Sequence, residues 1–157
     1  MARFYCTVPN LNINVDITKV RLIHDVSRIT LSANQLLAVL TDGLADDERD
    51  KISKQIRILY GFCFEEVYPE SYDIDEPGAS SGVAGHDERK NHLLIYSGSP
   101  SDEFKAVALS VFQDLLQLKL GQKDARQLFN TIFIWTRAHE LEELGLMVEA
   151  YTQYWRI

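Results

Sequence analysis

The sequence predicts an α+β fold made of two βαβ-like units within a single domain, residues 1–157. Three observations carry that prediction. Residues 3–9, Arg3-Phe4-Tyr5-Cys6-Thr7-Val8-Pro9, read as a strand, and apolar residues at helical spacing follow at 17–30. Residues 55–67 set Ile56, Ile58, Tyr60, Phe62 and Phe64 on alternate positions, the period of a strand. Residues 92–135 read as strand, capped helix and strand, and two such strands are parallel if adjacent.

Taken in order, the strand at 3–9 leads to a helix from about Ile17 to Thr30, with Asp16 as N-cap. Its apolar face is Leu22, Ile23, Val26 and Ile29. A β reading of 17–29 is the alternative, because Ile and Val are β-branched. Residues 32–41 read as helical, with Ser32 as cap and Leu36, Leu37, Val39 and Leu40 apolar, until Gly43 breaks the pattern. Asp46-Asp47-Glu48-Arg49-Asp50 suits the solvated first turn of a further short helix. Gly61 within the 55–67 strand suggests a bulge or a close backbone approach. Residues 69–91, with Pro69, Pro77, Gly78, Gly82 and Gly85, are the most loop-like stretch. A loop of that length in a small domain is usually functional or disordered.

The second unit opens with a strand at His92-Leu93-Leu94-Ile95-Tyr96. Ser99 is placed as N-cap, Pro100 in the first helical position, and Asp102 where a capping box puts its acid. Phe104, Val107, Ala108, Val111, Leu115 and Leu118 form the apolar stripe, and Gly121 closes the helix. Phe129 to Trp135 supplies the last strand. The tail, 139–157, is helical to about Glu149 and then carries Tyr151, Tyr154 and Trp155.

Composition narrows the function classes. The chain has 46% hydrophobic and 25% charged residues, ordinary for a globular protein. Its net charge of −7 argues against nucleic acid as the main partner. No apolar run approaches the roughly 18–20 residues that span a bilayer, so no membrane is expected as partner. No basic segment precedes an apolar one as in a secretion signal. Cys6 and Cys63 read as two free buried thiols, with a disulfide or a metal pair as the alternative. A cytoplasmic location is the resulting expectation. His24, His86, His92 and His139 are scattered, and no zinc, Walker or Gly-x-Ser-x-Gly motif is present, so no metal or cofactor is expected.

Local patches add a family resemblance. Lys19, Leu22, Asp25-Val26-Ser27 and Ile29 resemble the first helix of the tautomerase superfamily, in its cis-3-chloroacrylic acid dehalogenase-like branch. Ser99-Pro100-Ser101-Asp102-Glu103-Phe104-Lys105 resembles the start of that family's second helix. Glu140-Leu141 with Gly145-Leu146 resembles its C-terminal segment. These patches touch about a third of the chain, and their order carries the likeness rather than any one motif. The resemblance implies a tautomerase-like fold, a mixed sheet with helices on one face. It also implies a homotrimer joined at sheet edges, and a small carbonyl or enol acid as ligand.

The family's machinery is not matched. Its catalytic proline follows Met1, where this chain has Ala2. The residue ending its first helix falls near Thr30, and its carboxylate-holding arginines fall near Ser97 and Pro100. The acid after its last strand falls near Trp135-Thr136, with Arg137 next as a substitute cation. The implied pocket is therefore lined by Thr30 and Ser97, with Tyr96, at a strand end, either lining it or packing in the core. If Met1 is removed, the Ala2 amine, with a reference pKa of about 7.7–8.0, is the one candidate base or Schiff-base former. The implied activity is no dehalogenation and absent or weak enol-keto tautomerisation. A second reading from another class is a non-enzymatic α+β interaction module that binds protein through an exposed apolar patch. For Tyr151, Tyr154 and Trp155, a subunit contact and packing on the chain's own domain are equal alternatives.

Overall fold

The computed structural model describes residues 2–7, 14–32, 35–64, 72–75 and 101–157. Among the described residues five strands form one sheet: β1 (Ala2–Thr7), β2 (Asn14–Thr18), β3 (Val26–Ser32), β4 (Gln35–Leu40) and β5 (Tyr72–Asp75). Their order is β2-β3-β4-β1-β5, and every pairing is antiparallel. Among the described residues there are four helices, α1 (Asp46–Phe64) between β4 and β5, then α2 (Asp102–Gln117), α3 (Gln122–Glu143) and α4 (Met147–Tyr154) after β5. The class is α+β, as the sequence predicts. The expected mixed sheet of two βαβ-like units is instead an antiparallel one among the described strands.

The sheet has two chemically different faces because side chains alternate along each strand. Ile17, Ile29, Ala38 and Phe4 lie on one transverse row of the ladder, each no more than 2% exposed. Leu31 and Leu36 extend the same face one row on, and Val26, Leu40 and Ala2 extend it on the other side. Against this face pack Ile52, Ile56, Leu59, Tyr60, Cys63 and Phe64 of α1, Ala108, Phe112 and Leu116 of α2, and Phe129 and Ile132 of α3. The opposite face carries Asp16, Thr30 and Arg28, with Thr30 donating its hydroxyl proton to Asp16 Oδ1 at 2.9 Å. A β-bulge at Val26–Arg28 interrupts the β3–β4 register.

Several expectations are corrected. Residues 17–30 are not a helix but parts of β2 and β3 and the connection between them, as the alternative β reading had it. Leu22, Ile23, Val26 and Ile29 are all buried, so the apolar spacing was real. The hairpin wins because Val15, Ile17, Ile29 and Leu31 find cross-strand partners. Residues 32–41 are not helical either, since Gln35–Leu40 is β4, the strand between β3 and β1.

The expected strand at 55–67 lies in α1 as far as Phe64, and the remainder lies outside the described residues. In α1, Arg49, Ile52, Ser53, Ile56, Leu59, Tyr60, Cys63 and Phe64 are buried, three or four residues apart. The acidic run 46–50 does open this helix, which is long rather than short. Glu48 accepts from the Ala45 N–H at 2.9 Å, one half of a capping box. Cys63 sits among apolar neighbours, and burial pushes its thiol up to about 12.

The helix expected from Ser99 begins later. Ser101 is the N-cap, and its hydroxyl accepts from the Phe104 N–H at 3.2 Å. Its stripe is turned: Ala108, Phe112 and Leu116 are buried, whereas Val107 and Val111 are exposed. The expected strand Phe129–Trp135 is the middle of α3. Of the loop 69–91, residues 72–75 are β5, which pairs with β1; the rest of it, and the strand expected at 92–96, lie outside the described residues. No helix among the described residues is long and apolar enough to cross a membrane.

The tail is a helical hairpin. α3 ends in a Schellman turn: the Gly145 N–H donates to Glu142 O at 2.9 Å and the Leu146 N–H to Leu141 O at 2.9 Å. Gly145 takes φ +76°, a conformation that glycine adopts without a Cβ penalty. The chain then turns back as α4 and packs along α3.

Candidate functional site

The sequence-derived site residues fall in separate places. Ala2 starts β1, is 1% exposed and lies on the core face of the sheet. Its N–H donates to Asp42 Oδ1 at 2.8 Å, and this bond is the largest cause holding the Asp42 carboxyl below its usual range. Thr30 lies on the opposite face, bonded to Asp16. Arg137 is on α3, where its guanidinium donates to Glu140 Oε2 at 3.2 Å. Burial pushes the Glu140 carboxyl up, and Arg137 opposes that shift. Tyr96 and Ser97 lie outside the described residues. Ala2, Thr30 and Arg137 are therefore not gathered into one pocket.

The Asp42 contact has a chemical consequence. Were Met1 removed, the Ala2 nitrogen would be an amine beside a carboxylate. Its hydrogens would be held by Asp42 on a residue only 1% exposed, so the nitrogen is not presented to a substrate as a free base. Assay with phenylenolpyruvate is therefore expected to show turnover at or near background. Ala2→Pro should gain less than the roughly 10²-fold a positioned general base supplies at the low end. Turnover that disappears when the N-terminus is blocked would contradict this account of Asp42.

The most conspicuous surface is the outward side of α4. Ala150, 1% exposed, faces α3, and the Tyr154 hydroxyl donates to Glu142 Oε2 at 2.9 Å, fastening α4 to α3. Partial burial, with the Glu142 carboxylate adding to it, holds the Tyr154 hydroxyl above its usual range. It stays a donor at neutral pH. With that side anchored, helical spacing turns Met147, Val148, Tyr151 and Trp155 outward. Val148 is 77% exposed, Tyr151 64% and Trp155 83%.

The relief of this surface is regular. Met147, Tyr151 and Trp155 are four residues apart and form one ridge. On one side runs a crevice lined by Met147, Val148, Tyr151, Thr152 and Trp155. On the other runs a second, lined by Tyr151, Tyr154, Trp155 and Ile157. Sequence reasoning singled out Tyr151, Tyr154 and Trp155 but missed Met147, Val148 and Ile157; Met147 and Val148 stand four and three residues before Tyr151, the helical spacing that was the available signal. Of the two alternatives left open for these aromatics, Tyr154 takes packing within the hairpin, its hydroxyl bonded to Glu142, while Tyr151 and Trp155 are exposed. Among the described residues no group of three or more His, Cys, Asp or Glu is placed to hold a metal ion.

Comparison of the chain with protein-family models, with curated proteins and with solved structures returned no match.

Proposed function

We propose that this protein is a non-enzymatic interaction module that works through the outward face of α4, and that the occupant of that face is a second copy of the chain. The observation that carries the proposal is the apolar ridge Met147–Tyr151–Trp155 standing between two apolar crevices. A ridge beside a groove of the same pitch is self-complementary: a two-fold axis drops each ridge into the other copy's crevice.

Area sets the strength. Two aromatic side chains contribute roughly 300–500 Å² per copy, against about 800 Å² per partner in a standard interface. Met147, Val148 and Ile157 supply part of the remainder. The interface is thus at the small end, consistent with a dissociation constant in the micromolar range. The trimer and weak tautomerase activity implied by the family resemblance would use sheet edges and the N-terminus instead. No geometry described above favours that reading.

Sedimentation equilibrium of the full chain tests the proposal. The wild type should be a monomer–dimer mixture at micromolar concentration. Trp155→Ala and Tyr151→Ala should each weaken the dimer about 30-fold or more, the effect of losing a central aromatic anchor of about 2 kcal/mol. Their melting curves at low concentration should match the wild type, because both side chains are exposed. Val107→Ala, on an exposed part of α2, should leave association unchanged. A strictly monomeric wild type, or a trimer indifferent to Trp155→Ala, would overturn the proposal.

A further inference from the structure

A cleft distant in sequence from the α4 face carries a separate inference. It lies between the β2–β3 connection at 19–25, the first turns of α1 and the first turns of α3, and measures about 380 Å³. That lies within the range of small-molecule sites, about 300–1,000 Å³. Three cations face it: Arg21 from the connection, Lys51 from α1 and Arg126 from α3. Among the described residues none of the three has a carboxylate within ion-pair distance.

Two acids, Asp25 and Glu48, line the cleft as well. The Asp25 carboxylate lies 3.0 Å from His24 Nδ1, and Glu48 accepts from the Ala45 N–H. Three cations against two carboxylates still leave this lining net positive, in a chain of net charge −7. Its floor is apolar: Leu22, Ile52 and Phe129 line it and are buried.

The walls are held in place. The Arg21 and Leu22 N–H groups both donate to Leu116 O at the end of α2, at 2.8 and 3.0 Å. Asp25 O accepts from the Thr41 N–H at 2.9 Å. Lys19 and Asp25, at the two ends of the connection, adopt φ +58° and +66°, which non-glycine residues rarely do. Such a backbone persists only where its surroundings over-determine it. The connection therefore presents Arg21 at a set place rather than sampling many.

We infer that this cleft binds a small phosphate monoester with an apolar body. The phosphate sits among Arg21, Lys51 and Arg126, and the body lies on Leu22, Ile52 and Phe129. Two guanidinium forks match the geometry of phosphate oxygens, and the ammonium adds a compact charge. A dianionic head answers three unpaired cations better than a single carboxylate does. This inference is independent of self-association through α4.

Calorimetric titration of the full chain with phenyl phosphate, inorganic phosphate and phenol tests it. Phenyl phosphate should bind saturably, at least ten-fold tighter than inorganic phosphate, and phenol should not bind. Arg126→Gln and Arg21→Gln should each weaken phenyl phosphate at least five-fold. Melting temperatures should hold, because both side chains are solvent-exposed. Phe129→Leu, which keeps the floor apolar, should narrow the preference for phenyl phosphate over inorganic phosphate. Absence of saturable binding at about 10 mM probe, beyond the range of specific affinities, would overturn the inference. So would equal affinity for the two phosphates, or affinity indifferent to both arginine replacements.

Discussion

Phe64→Ala is expected to lower the melting temperature by roughly 6–20 °C, the yield of a 3–5 kcal/mol loss in a domain of this size. Phe64 is 1% exposed at the C-terminal end of α1. Its ring stacks on Tyr60 at a centroid distance of 4.5 Å and meets Phe112 of α2 edge-on at 5.9 Å. Tyr60 in turn meets Phe112 at 5.9 Å, so the three rings form a closed set. Truncating one removes its own burial and leaves two rings facing a void that the rigid helices cannot collapse. The cost should come with a loss of the α1–α2 contact and hence a weaker hold on the connection at 19–25, which is tied to α2 at Leu116. Thermal unfolding followed by circular dichroism reads the effect. A shift of only a degree or two would mean that the aromatic set is not a packed core.

Ala38→Asp is expected to abolish folding at neutral pH, while Leu37→Asp leaves a folded protein. Ala38 is 0% exposed and lies between Phe4 of β1 and Ile29 of β3. A carboxylate there has no polar partner, and an unpaired buried charge costs several kcal/mol. That is comparable to the 5–15 kcal/mol stability of a whole domain. Leu37 points to the other face and is only partly buried. The contrast follows from the two-residue period of a strand, because adjacent side chains project to opposite sides.

The pH dependence of the Ala38→Asp variant has a definite sign. Burial raises the folded-state pKa of the new carboxyl above its unfolded value of about 3.9. The variant is thus least penalised at low pH, and its stability relative to wild type falls as pH rises through that window. Circular dichroism of the variant at pH 4 and pH 7 should show its folded fraction falling as pH rises. Equal tolerance of both substitutions would mean that β4 does not have this register.

Much of the local structure was legible because local chemistry decides it. The start of α2 was recognisable from its Ser-Pro-Ser-Asp run, although Ser101 rather than Ser99 takes the cap. The acidic run 46–48 marked the start of α1, since negative charge suits the positive end of a helix. The α+β class followed from strand-like and helix-like periods in one chain. The apolar face read at Leu22, Ile23, Val26 and Ile29 is buried, although not as a helix.

What sequence left open was decided by what each segment packs against. Residues 52–64 satisfy two periods at once. Ile56, Ile58, Tyr60, Phe62 and Phe64 alternate, while Ile52, Ile56, Leu59, Tyr60 and Cys63 follow a helical stripe. A segment apolar on both readings takes the form that buries more. Here a helix laid across the Phe4–Ala38–Ile29–Ile17 row buries Ile52, Leu59 and Cys63 as well. Residues 17–30 became strands for the converse reason: β4 and β2 supply the backbone partners that an isolated β segment lacks. The cleft and the α4 face were beyond local reading altogether. Arg21, Lys51 and Arg126 lie far apart in the chain and meet only when α1 and α3 settle on the sheet. Tyr151 and Trp155 could have packed inward. Ala150, whose small side chain lets α4 approach α3 closely, took that position and turned the aromatics to the outside.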